Sequence, residues 1–68
     1  MVNGIEIVFE GTEKNKQLLK NCHGIQYAYK KNLLSLRFFY NYEFYKENLE
    51  ECLTILKNNN IKYLQIEI

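Results

Sequence analysis

The 68-residue chain has no proline, tryptophan or aspartate, three glycines, two cysteines and one arginine. Several of these shortages close off a class of function. Without aspartate there is no Ser-His-Asp triad. Glutamate could stand in for the third member, but the one histidine, His23, falls at a helix end and no nucleophile elbow precedes a helix. Three scattered glycines exclude a P-loop or a dinucleotide-binding loop. No run approaches the roughly 18 apolar residues of a membrane span. Residues Met1 to Glu6 lack the charged and then apolar regions of a signal peptide. The expectation is a cytoplasmic protein whose Cys22 and Cys52 are reduced. With no repeat, linker or low-complexity segment, residues 1–68 read as one small domain.

Strong charge of one sign is also missing. Nine basic residues face eight acidic ones, mixed along the chain, for a net charge of +1. A nucleic-acid binder typically gathers a basic excess on one face, so the balance argues against that partner. What is abundant is large side chains. Six Tyr and four Phe are present and 47% of residues are apolar. Each aromatic buries on the order of 150–250 Å², which supplies a core and excludes a disordered chain.

The order of these residues predicts six elements. Ile5, Ile7 and Phe9 alternate with Glu6, Val8 and Glu10, the period of a half-buried strand. Thr12 is placed to cap a first helix over 13–22, with Glu13 in its first turn and a thin stripe of Leu18, Leu19 and Cys22. Gly24 is expected to end it in the left-handed conformation. A second strand spans 25–30, then Lys31-Asn32 turns the chain into a third over 33–40. There Leu34, Leu36, Phe38 and Tyr40 share one face, and Leu33, Ser35, Arg37 and Phe39 the other. Tyr42, Tyr45, Leu49, Cys52, Leu53 and Leu56 recur at helical steps, with Asn41 as the expected cap and Asn58-Asn59-Asn60 as the stop. The last strand covers 61–68.

The order β-α-β-β-α-β predicts an α+β, ferredoxin-like two-layer sandwich: a four-stranded antiparallel sheet with both helices on one face. Ile5, Ile7, Phe9, Leu34, Leu36, Phe38, Leu64 and Ile66 are expected on the helix side. The second strand has two registers. Ile25, Tyr27 and Tyr29 facing the helices is preferred, because large apolar residues belong in a core. A bulge at the strand start would instead turn Tyr27 and Tyr29 to the open side.

Few residues can carry chemistry. Cys22, His23 and Cys52 give three soft ligands where a structural zinc site takes four in close-spaced pairs. Two buried thiols acting as small hydrophobes are the simpler reading, and His23 in the last turn suits the helix dipole. Length and element order resemble those of heavy-metal-associated domains, whose metal-binding Cys pair follows the first strand. That loop here, Gly11 to Gln17, contains no cysteine, so the metal site is not carried over. Amino-acid-sensing regulatory domains share the topology but mark the same loop with Pro-Gly. A small acylphosphatase would need an Arg there, whereas Arg37 lies on the third strand.

What remains is the open sheet face, expected to carry Val8, Arg37, Phe39, Tyr63 and Gln65. An apolar patch rimmed by charge is how interfaces look, although three apolar residues on an open face are also ordinary. The last strand is apolar to Ile68 and guarded only by Lys62 and Glu67, an edge open to pairing. The resulting reading is a non-enzymatic protein–protein interaction module: a small regulator, inhibitor or accessory subunit, with a homodimer as one form of it. No cofactor, metal or small-molecule ligand is indicated. Two alternatives come from other classes. One is single-stranded nucleic-acid binding, with bases stacked on Phe39 and phosphate met by Arg37, though Glu6 and Glu10 would repel phosphate. The other is a thiol or metal-binding protein using Cys22 and Cys52.

Overall fold

The computed structural model describes residues 2–68. It contains β1 (Gly4–Glu10), α1 (Glu13–Leu19), β2 (Ile25–Lys30), β3 (Leu33–Phe39), α2 (Tyr45–Asn58) and β4 (Tyr63–Glu67). The strands form one antiparallel sheet in the order β2-β3-β1-β4. This is the expected ferredoxin-like sandwich, with β1 and β3 central and β2 and β4 at the edges.

The core forms where β1 and β3 present their larger residues to the helices. Ile5, Ile7 and Phe9 pair with Phe38, Leu36 and Leu34 across the two central strands. Leu19, Cys22, Cys52 and Leu56 pack onto them from the helix side. Ile7, Cys52 and Leu56 have no exposed surface at all.

Local chemistry explains how α1 forms on so thin an apolar stripe. Thr12 Oγ1 accepts from the Asn15 amide at 3.1 Å, while Asn15 Nδ2 donates to the Glu10 carbonyl at 2.8 Å. The buried Asn15 side chain thus ties the helix start to the end of β1. The helix stops at Leu19, three residues before the expected end. Asn21, a weak helix former, sits in a turn where the Cys22 amide donates to the Leu19 carbonyl at 3.1 Å. His23 therefore lies beyond the last turn rather than in it.

Gly24 also departs from expectation, since no glycine among the described residues has positive φ. Its constraint is space: a Cβ there would lie 2.9 Å from Phe38 Cζ and 3.2 Å from Leu36 Cβ. Asn32 and Asn60 take the positive φ angles, 69° and 54°. They serve the β2–β3 turn and the stop after α2, where asparagines are expected. Asn59 Nδ2 also donates to the Ile55 carbonyl at 2.8 Å.

The helix α2 starts three residues later than the stripe beginning at Tyr42 implies. Asn41 does not cap it. Phe44 holds the cap position without a side-chain hydrogen bond, and Tyr42 and Phe44 are exposed. Tyr45 is the first stripe residue to reach the core, and its ring packs 5.1 Å from that of Tyr40.

Both edge strands face the opposite way from the preferred reading. In β2, Ile25 and Tyr27 stand opposite Arg37 and Ser35 on the open side, while Gln26 and Ala28 stand opposite Leu36 and Leu34. The one register shift among the described residues lies between Ala28 and Lys30, at the end of the strand and not at its start, so Ile25 and Tyr27 face outward without a preceding bulge. Gln26 and Ala28 are exposed although they are on the helix side, so the helices leave β2 uncovered. No core there rewards inward tyrosines. In β4, Tyr63, Gln65 and Glu67 stand opposite Phe9, Ile7 and Ile5 on the helix side, which turns Leu64 and Ile66 outward. The cause is the return from α2. The Ile61 amide donates to the Leu56 carbonyl at 2.9 Å and its side chain packs on the core, which sets the alternation for everything after it.

Candidate functional site

The sheet face away from the helices is built in rows across the four strands. One row runs Ile25, Arg37, Glu6, Ile66, and the next Tyr27, Ser35, Val8, Leu64. Phe39, opposite Gly4, closes one end and Leu33, opposite Glu10, the other. The outer members are apolar: Ile25 is 53% exposed and Leu64 62%, while Tyr27 and Ile66 are half-buried. In the middle lies a compact polar group. The Glu6 carboxylate, only 4% exposed, accepts from Ser35 Oγ at 2.9 Å and from Arg37 Nε at 2.8 Å. The Arg37 guanidinium in turn lies over the Tyr27 ring, 4.1 Å from its centroid.

This group is electrically closed. Burial pushes the Glu6 carboxyl up, but hydrogen bonds from Arg37 and Ser35 and the guanidinium charge outweigh it, leaving the group below its ordinary 4.5. The Arg37 guanidinium is raised chiefly by its hydrogen bond to Glu6. No buried side-chain nitrogen or oxygen among the described residues lacks a partner. A carboxylate held ionised by a guanidinium and a hydroxyl, below its ordinary value, is a poor general base, so the group reads as the polar centre of a surface.

Of the five residues expected on this face, Arg37 and Phe39 are there and partly exposed, and Val8 is there but nearly buried. Tyr63 and Gln65 are on the other side of the sheet. Ile25, Tyr27, Leu64 and Ile66 take their place. No bulge precedes Tyr27, so the outward register was weighed in the sequence but not for the right cause. The signal for Leu64 and Ile66 was Ile61 entering the core first.

A cleft of about 270 Å³ continues the face past β2 and the end of β3, lined by His23, Ile25, Phe39, Tyr42 and Tyr45 among others. Its walls are mostly apolar. The two thiols lie elsewhere, in the core. Burial pushes the Cys52 thiol up to about 12, helped by neighbouring Cys22, and burial raises Cys22 too. No cluster of three metal-ligating side chains occurs among the described residues. No helix among them is long and apolar enough to cross a membrane.

The chain matches no protein-family model, and no curated protein or solved structure is significantly similar to it.

Proposed function

We propose that this domain is a non-catalytic protein-docking module and that the open sheet face is its contact surface. The observation that carries the reading is the closed polar group of Glu6, Ser35, Arg37 and Tyr27 set among exposed apolar residues. Burying an unpaired charge is expensive, whereas burying one already paired and hydrogen-bonded costs far less. The face is thus suited to cover by another apolar protein layer, with Ile25, Leu64 and Ile66 supplying the area lost to water. Nucleic acid is a poorer fit. The one arginine is already engaged by Glu6, and its flat stacking surface is taken up by Tyr27.

Site-specific photo-crosslinking in the native host tests this. A benzophenone amino acid replaces Ile25 or Leu64, and in a control replaces exposed Lys46 on α2. The expected result is a discrete protein adduct from positions 25 and 64 and none from 46. Adducts to RNA, or equal yields from all three positions, would contradict the reading.

A further inference from the structure

Resting on that docking reading, we infer that the layer covering the open face is a second copy of this chain, packed sheet to sheet about a two-fold axis. The principal extents of the backbone are 30, 23 and 16 Å. A face across the two longer ones spans at most roughly 690 Å² in projection, of the order of the roughly 800 Å² of accessible surface per partner in a standard interface. Nearly all of it has to be engaged, which a single docked strand or peptide does not achieve. A flat layer of equal size does, and the second copy presents one.

The rows are complementary to themselves. A two-fold axis along the strands, between β1 and β3, turns each row end for end over its own copy. The row Ile25, Arg37, Glu6, Ile66 then sets Ile25 against Ile66 of the second copy and Arg37 over Glu6 of the second copy. In the next row Tyr27 meets Leu64 of the second copy, while Ser35 and Val8, buried within their own chain, lie beneath the contact. Apolar residues meet apolar residues at both edges, around a centre whose charges each copy has already paired. Aligned sheets pack this way about 10 Å apart. The product is a four-layer helix–sheet–sheet–helix particle.

The test is solution mass by light scattering across a dilution series of untagged protein, with circular dichroism as the fold control. Wild type is expected at twice 8.2 kDa at the concentrated end of the series and to approach 8.2 kDa at its dilute end. Ile25→Glu and Ile66→Lys are each expected at the single-chain mass with an unchanged fold. An equal mixture of the two is expected to regain the doubled mass, because this axis places each substitution opposite the other. A persistent dimer of either variant, or a mixture that stays monomeric, overturns the arrangement. A wild-type monomer that crosslinks to a different protein from position 25 overturns self-association and leaves the docking reading standing. A wild-type monomer that crosslinks to nothing overturns both.

Discussion

Glu6 and Arg37 face each other across the two central strands, with Arg37 Nε 2.8 Å from the Glu6 carboxylate on the side of the sheet that no helix covers. Ser35 donates a second hydrogen bond to the same carboxylate oxygen. A nearly buried charge on an otherwise apolar face persists only because its neighbours on β3 neutralise it.

The pair makes the fold sensitive to acid. The Glu6 carboxyl is lowered from its ordinary 4.5, so its contribution is complete above that value and is lost as pH falls through the lower folded value. Melting temperatures from pH 7 down to pH 2 should fall more steeply for wild type than for Glu6→Gln. Parallel curves would contradict the pairing.

Ser35 should be felt in the same place. Its hydroxyl is fully buried and donates to a charged acceptor. Ser35→Ala should cost about 1–3 kcal/mol in urea unfolding. No loss would mean that Arg37 alone satisfies the carboxylate.

Gly24 should resist enlargement for a steric reason. A methyl there meets the buried Phe38 ring at 2.9 Å. Gly24→Ala should lose about 1–3 kcal/mol. Gly24→Ala paired with Phe38→Leu should recover part of it, which a penalty set by backbone conformation would not allow.

Two leucines should separate the faces. Leu56 is fully buried and Leu64 is 62% exposed. Leu56→Ala should cost about 2–5 kcal/mol and Leu64→Ala far less at concentrations where the chain is monomeric. Equal losses would place Leu64 in the core and invert β4.

The thiols should be inert until the chain unfolds. With Cys52 pushed up to about 12 from its ordinary 9.0, and Cys22 also raised, a thiol-disulfide reagent at pH 8 should react with the folded protein far more slowly than with the urea-unfolded chain. Above pH 9 the unfolded chain releases thiol protons that the fold retains, so stability should drop as pH rises from 9 toward 12. Rapid labelling of the folded protein would contradict the core placement.

The central strands were legible in the sequence because both neighbours and the helices constrain them. Ile5, Ile7 and Phe9 have one consistent partner set in Phe38, Leu36 and Leu34. The edge strands were not. Helix cover stops short of β2, so nothing penalises an outward Tyr27, and the Arg37 guanidinium rewards it. In β4 the residues on both faces are large, and the choice falls to Ile61, which seats itself in the core outside the strand. Placement on the open face was therefore read correctly for Val8, Arg37 and Phe39 on the two central strands, and inverted on the edge strand β4, where Tyr63 and Gln65 were expected. Gly24 was legible as a special position but not for its reason, because the Phe38 ring that crowds it comes from a distant part of the chain.

Methyl resonances read out the central claim, that the open face is made to be covered by a second copy of this chain. Isoleucine and leucine methyls are followed with a soluble paramagnetic chelate while the protein is diluted. The account predicts that Ile25, Leu64 and Ile66 are shielded when concentrated and broadened when dilute, with Ile7 and Leu56 shielded throughout. Open-face methyls broadened equally at every concentration, or Leu64 shielded in the most dilute sample, would contradict it.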